Sequence, residues 1–237
     1  MPAVVEADDQ GLYVLKFRGA GQGPKALVAE AICAGLARAL ELPIPEVVLM
    51  DLDAELARTE GDPEIQDLIK ASAGLNLAMD YLPGAVNFDP VAEQPEAELC
   101  SRIVWFDSFT SNVDRTARNP NMLVWHRRLY LIDHGAALYF HHGWDGDTAH
   151  ATRPFALVRD HVLLRWASQL ASVDASMAQR LSGDVIAGVV AQVPDDWLQG
   201  PDSFGAPDVQ RTAYVDHLTA RLIGREAFVR EAIRARG

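Results

Sequence analysis

Cysteine is scarce in this chain: two residues in 237, Cys33 and Cys100. Both fall in apolar stretches of helical pattern, and no Cys-x-x-Cys occurs, so a disulfide scaffold and a cysteine metal site are both excluded. Reduced core thiols suit the cytosol. Basic residues are also few, with Lys and Arg at 21 against 33 Asp and Glu, for a formal net charge of -12. Such a surface repels a phosphate backbone and argues against a general nucleic-acid binder. Long apolar runs are missing: no stretch approaches the roughly 18 residues that span a membrane. The opening MPAVVEADD has neither the basic region nor the apolar run of a signal peptide. A cytoplasmic protein without a membrane partner is expected. No Gly-x-Ser-x-Gly supports serine hydrolase chemistry. The histidines at 126, 134, 141, 142 and 150 match no zinc spacing.

What is present is ample apolar material, 49% of residues, in an order that changes along the chain. Ala3 to Glu6 and Leu12 to Phe17 read as short strands joined by the turn Ala7-Asp8-Asp9-Gln10-Gly11. A glycine-rich connector, Arg18 to Pro24, leads to a helix over 25–40 with Leu27, Val28, Ile32, Leu36 and Leu40 at helical spacing. Pro43 and Pro45 end it. Glu46 to Leu52 reads as a strand, Asp53 to Ala73 as partly helical, and Gly74 to Leu82 as another strand. Pro83-Gly84 marks a boundary. Ala97 to Phe109 predicts a helix, and Met122–Trp125 with Leu129–Ile132 a second hairpin whose tip is His126-Arg127-Arg128. Helices are predicted over about 155–171, 174–192 and 207–235. A small β-rich half thus precedes a helical half, and a ligand cleft is expected between them.

The segment from Ser111 to Asn121, followed by Ile132-Asp133-His134-Gly135, carries the densest chemistry. Phosphoryl transfer from a metal-bound nucleotide needs a carboxylate near the attacking hydroxyl and oxygen ligands for magnesium. Asp114 suits the first task, and Asn119 with Asp133 the second. Each residue alone is an ordinary turn former; the order helix, Asp-x-x-x-x-Asn, hairpin, Asp-x-Gly is more specific. Lys16 shares a strand face with Val14. It is either an edge lysine reaching water or a phosphate ligand, with Glu30 in the next helix as its partner. The run Gly19-Ala20-Gly21-Gln22-Gly23-Pro24-Lys25 fits neither a dinucleotide fingerprint nor a Walker loop. It reads as a flexible connector, or as a phosphate contact with Lys25 assisting.

Together these pieces resemble the HipA-like branch of the protein-kinase-like superfamily, with a catalytic loop similar to that of phosphatidylinositol 3/4-kinases. The residues that carry the resemblance are Tyr13-Val14-Leu15-Lys16-Phe17, Glu30, Asn112-Val113-Asp114-Arg115 with Asn119, and Ile132-Asp133-His134-Gly135. The resemblance implies an α+β, two-lobed protein-kinase-like fold, with a β-rich N-lobe over 1–84 and a helical C-lobe over 85–237. It implies ATP and Mg²⁺ as cofactors. Asp114 would be the catalytic base, Lys16 the phosphate contact held by Glu30, and Asn119 and Asp133 the Mg²⁺ ligands. Asp80-Tyr81-Leu82 would be the hinge that meets adenine, and Leu123 would lie under the ring.

Two departures accompany the likeness. Such kinases begin with a strand and a glycine-rich loop ahead of the strand that here starts at Ala3, and no such loop precedes Ala3. Thr116 replaces the histidine of the HipA toxins, which brings the loop nearer the Asp-Arg form of the lipid kinases. The leading expectation is a kinase acting on a Ser or Thr hydroxyl of a protein or of itself. The alternatives are a nucleotide-binding module without turnover and a kinase of small molecules or lipid headgroups. An antitoxin-like partner is left open.

Overall fold

A computed structural model describes residues 2–21, 23–200 and 203–237. Gln22 of the glycine-rich connector and Pro201-Asp202 of the later loop lie outside the described residues, as does Met1. The chain is a mixed α and β fold. Strands β1 (Pro2–Glu6) and β2 (Leu12–Lys16) form the expected hairpin. Its turn is held by Asp9, whose carboxylate accepts from the Gly11 amide at 2.8 Å and from the Tyr13 hydroxyl at 2.7 Å. With β3 (Val47–Leu52) and β4 (Gly74–Asp80) they build an antiparallel sheet in the order β1-β2-β4-β3.

The period of two along each strand sorts this sheet into two faces. Leu15, Phe17, Leu52 and Ala78 share one small core with Leu68 and Ile69 of helix α2 (Pro63–Ala71). Lys16 therefore points to the opposite face, level with its register partner Leu77, which belongs to the main core. That face is covered by helix α1 (Gly23–Ala39), whose Leu27, Val28, Ile32, Cys33 and Leu36 are all buried. Glu30, only 3% exposed, is the buried carboxylate of this helix. The helix ends where Glu41 takes a positive φ of 52° and the Leu42 amide returns to the Ala37 carbonyl at 2.9 Å. Pro43 and Pro45 follow, as the sequence suggests.

Helix α3 (Ala97–Thr110) carries ten buried residues and stops at Ser111, which caps it in the left-handed conformation. The loop after it leads to the hairpin of β6 (Met122–Trp125) and β7 (Arg128–Leu131), with β5 (Val86–Asn87) alongside. His126 and Arg127 both have positive φ, so the hairpin turns through two residues and Arg128 already pairs with Trp125. The three-residue tip read from the sequence is thus one residue too long.

The helical remainder divides more finely than its apolar pattern suggests. In place of the helix expected over 155–171 stand two short 3₁₀ turns, Ala156–Asp160 and Leu164–Trp166, with Val158 and Leu164 buried in them, and only the last two residues of the range are helical. The helix expected over 174–192 is two, α4 (Leu170–Arg180) and α5 (Gly183–Val190), because Ser182 caps a new start through the Val185 amide. The last is also two, α6 (Pro207–Ile223) and α7 (Glu226–Arg236), broken at Gly224-Arg225. Trp105 of α3 stacks on Phe109 and meets Phe228 of α7 edge-on with 5.4 Å between ring centroids. Among the described residues no helix is long and apolar enough to cross a membrane. Both cysteines are buried and unpaired.

Candidate active site

Four chain segments deliver charge to one cleft. β2 contributes Lys16, α1 contributes Glu30, the loop after α3 contributes Asp114, and the residue after Ile132 contributes Asp133. All four line a cavity of about 310 Å³, together with the small residues Ala20, Gly21, Gly23, Ala26, Gly135 and Ala136. The small residues leave room at that end for a ligand to approach the backbone.

Lys16 is the centre of the charge arrangement. Its ammonium is bonded to Glu30 and lies 2.9 Å from Asp133 Oδ1. Burial alone would lower the Lys16 pKa, but the Glu30 and Asp133 carboxylates outweigh it and the group is held above its ordinary value. Burial likewise works against the Glu30 charge; Lys16 and then His134 overcome it, and the carboxyl stays well below the usual range. Glu30 also accepts from the Gly135 amide at 2.9 Å, so one side chain fixes both the lysine and the backbone after Asp133. A Cβ on Gly135 would stand 3.4 Å from Ala26 Cβ and 3.6 Å from Glu30 Oε1.

Asp114 sits on a loop that its neighbours shape. The Asn112 side chain accepts from the Asp114 amide at 3.1 Å. Asn119 Nδ2 donates to Asp114 Oδ2 at 2.7 Å, and Asn121 Nδ2 reaches the same oxygen at 3.2 Å. Both amides bond the same oxygen, so Asp114 Oδ1 has no hydrogen-bond partner among the described residues. Because Asn119 donates with its nitrogen, its carbonyl oxygen is left for another ligand. Asp133 has a φ of 57°, the left-handed region, which turns its carboxylate out of the β7 direction. Asn119 and Asp133 offer hard oxygen donors, and that donor set fits magnesium, which takes few protein ligands and keeps waters and phosphate oxygens. Among the described residues no group of three or more His, Cys, Asp or Glu gathers for a metal.

The other sequence candidates do not line this cavity. Lys25 Nζ donates to the His141 carbonyl at 2.7 Å and lies over the Phe204 ring, so its ammonium is committed elsewhere. The Asp80 and Tyr81 amides bond the carbonyls of Glu46 and Leu12, at 2.8 and 3.0 Å. The Leu82 amide has no acceptor among the described residues. Leu123 pairs with Asn87 on β5, and the neighbouring Trp125 Nε1 donates to Pro83 O at 2.9 Å. Leu123 and the 80–82 segment therefore lie near one another and do not line the cavity that holds the charged quartet.

Sequence reading passed over Asn121, although it stands two residues after Asn119. It also passed over Asp107, fully buried in α3, whose signal was a charge directly after the apolar run Ile103-Val104-Trp105-Phe106 and ahead of Phe109.

With this geometry in hand, the sequence model for HipA-like kinases matches residues 1–230. The chain belongs to the HipA-like kinase family. Among solved structures it is similar to the crystal structure of a Helicobacter pylori proinflammatory kinase, CtkA. The two are 12% identical with a TM-score of 0.54, over 99% of this chain and 94% of that one. At that identity the likeness speaks for a shared kinase fold. Comparison with curated proteins finds no match.

Proposed function

We propose that this HipA-like chain is an ATP- and Mg²⁺-dependent kinase that transfers the γ-phosphoryl group to a Ser or Thr hydroxyl, on a protein or on itself. The observation that carries the reading is the convergence of Lys16, Glu30, Asp114 and Asp133 on one cleft. The proposed arrangement is two-lobed, with 1–84 above the cleft and 85–237 below it, and the catalytic loop takes the Asp-Arg form of the phosphatidylinositol 3/4-kinases.

In this reading Asp114 is the base. Its free Oδ1 accepts the proton of the incoming hydroxyl while Asn119 and Asn121 hold Oδ2. The hydroxyl oxygen forms a bond to the γ-phosphorus as the bond to the bridging oxygen breaks, and ADP leaves. Lys16, oriented by Glu30, meets the phosphates as a point charge. Asn119 and Asp133 would hold magnesium, whose chemistry there is neutralisation of phosphate charge. The Leu82 amide is the hinge donor for adenine, since those of Asp80 and Tyr81 are engaged. The reaction is placed in the cytoplasm.

A thermal-shift titration with Mg-ATP, run beside a labelled-phosphate assay, tests the proposal. Stabilisation accompanied by label transfer supports it. Stabilisation without transfer makes the chain a binding module, and no stabilisation removes the nucleotide reading altogether. Transfer to inositol lipids but not to proteins would make it a headgroup kinase.

A further inference from the structure

Asp107 and Arg115 form an ion pair in which both side chains are fully buried. Arg115 Nε lies 2.5 Å from Asp107 Oδ2, and its Nη2 reaches Oδ1 at 3.4 Å. Asn112 Nδ2 donates to Asp107 Oδ1 at 3.0 Å. His161 Nε2 is 2.9 Å from Oδ2, and His161 Nδ1 accepts from the Leu163 amide at 3.0 Å. The Leu163 amide makes Nδ1 the acceptor, so Nε2 is the nitrogen that faces Asp107 as donor. Asp107 thus has its lone pairs filled from three directions. Burial disfavours its charge, yet Arg115 and His161 hold the carboxyl well below its ordinary value.

The guanidinium has a second set of partners. Arg115 Nη1 donates to the Asn121 carbonyl and reaches the Ile132 carbonyl at 3.4 Å. Asn121 is the residue whose side chain meets Asp114, and Ile132 immediately precedes Asp133. Asn121 Nδ2 also reaches the Asp133 carbonyl at 3.5 Å. The Arg115 backbone is held in turn, because the Val162 amide donates to its carbonyl at 3.1 Å.

We infer that Arg115, anchored by Asp107 and His161, is a positioning residue that sets the distance between the Asp114 and Asp133 carboxylates. The inference rests on the kinase reading of those two carboxylates. A planar fork with several donors can bridge Asp107, Asn121 and Ile132 at once; a lysine ammonium cannot span them with the same geometry. The buried charge makes the pair poor evidence for stability alone, since well-packed apolar residues could fill the space. What the pair adds is registration of the loop after α3 against the end of β7. Reaction geometry is sensitive to such registration: a displacement of about 1 Å costs on the order of 10²-fold in rate.

The test uses the full chain with Arg115→Lys, which keeps the charge opposite Asp107. Single-turnover labelled-phosphate transfer from Mg-ATP is measured beside nucleotide affinity by thermal shift. The rate should fall on the order of 10²-fold, while the ATP concentration that half-saturates the shift stays within about twofold of the parent. A parental rate in the folded variant overturns the inference, as does a change confined to nucleotide affinity. Hydrogen exchange supplies a readout independent of activity. Exchange in 112–121 and in 132–135 should rise together in Arg115→Lys, with α4 to α7 unchanged; no rise, or a rise in one segment only, also overturns the inference. If the lysine variant does not fold, His161→Gln, which leaves the ion pair intact, should lower the rate several-fold and loosen the same two segments. If the parent transfers no phosphate, the kinase reading fails, and the exchange pattern still decides whether Arg115 couples the two segments.

Discussion

Lys16 Nζ lies 2.9 Å from Asp133 Oδ1, joining residues 117 positions apart in the chain. The contact ties the second strand of the sheet to the end of β7, and Glu30 closes it from the helix between them. Two carboxylates therefore hold one ammonium in a cleft whose lining also includes Asp114, several small residues and the apolar Pro2, Phe17 and Leu27. Nucleotide phosphates and magnesium would compete for the same groups, with Lys16 turning to phosphate and Asp133 to the metal.

Lys16→Met should remove phosphate transfer and also destabilise the fold. Glu30 is 3% exposed and would lose its charged partner. Breaking a buried pair from one side costs about 3 kcal/mol or more. Urea unfolding of the single variant and of Lys16→Met with Glu30→Gln tests this. The double variant should recover part of the lost stability, because no buried charge is left alone. Equal loss in both would mean the pair is not coupled.

Asp133→Asn isolates charge from backbone conformation. Asn tolerates the left-handed region that Asp133 occupies at a φ of 57°. The fold should remain while the magnesium concentration needed for phosphate transfer rises at least about tenfold, as a charged ligand becomes neutral. A magnesium titration of transfer rate reads this out, and an unchanged requirement would remove Asp133 from the metal site.

Stability should fall in mild acid. Burial, with His142 and Lys25 nearby, holds the His141 pKa down to about 3; burial, with Arg221 and His150 nearby, holds His217 down to about 3. Both folded values lie below the ordinary histidine value of 6.5. The unfolded chain then binds more protons, so stability is present above pH 6.5 and drains as pH falls toward 3. Each histidine accounts for about 2 kcal/mol lost by pH 5. Glu30 acts in the same direction below its ordinary value of 4.5, because its folded pKa is lowered. Urea midpoints at pH 7 and pH 5 check the slope, which His141→Gln and His217→Gln should each flatten. Identical parental midpoints would contradict it.

Arg221 should prove structural although it touches no part of the cleft. Buried in α6, it donates to the carbonyls of Phe109 at 2.6 Å and Ala151 at 2.8 Å, and to that of Ser108. These carbonyls include the C-terminal end of α3, where the loop bearing Asp114 begins. Arg221→Met leaves them short of donors, at a cost of about 2 kcal/mol or more. Thermal unfolding of this variant measures it, and a parental Tm would show that water or another group replaces the guanidinium.

Local chemistry made much of this molecule readable. The turn at Asp9-Gln10-Gly11, the prolines after α1 and the alternating strands each announced themselves within a few residues. Lys16 and Glu30 were legible because a charge in an apolar strand or helix needs a partner, and each supplied the other. The later helices were harder to divide. Phe155, Val158 and Val162 fall at helical spacing, yet the stretch folds into short 3₁₀ turns, and an apolar pattern cannot distinguish the two. Lys25 was harder to read: in sequence it follows a glycine-rich run, while its partner in space is the distant His141 carbonyl. Arg115 read as a loop residue because the buried aspartate that captures it lies on the preceding helix.

The most direct measurement is transfer of labelled γ-phosphate from Mg-ATP by the parent chain and by Asp114→Ala, with the chain itself and a protein pool as acceptors. The parent should transfer label in a magnesium-dependent way. Asp114→Ala, which leaves Lys16, Glu30 and Asp133 in place, should transfer at least about 10²-fold less, the contribution of a positioned base. Equal labelling by the two proteins would contradict the assignment of Asp114, and no labelling by the parent would contradict the kinase reading of this cleft.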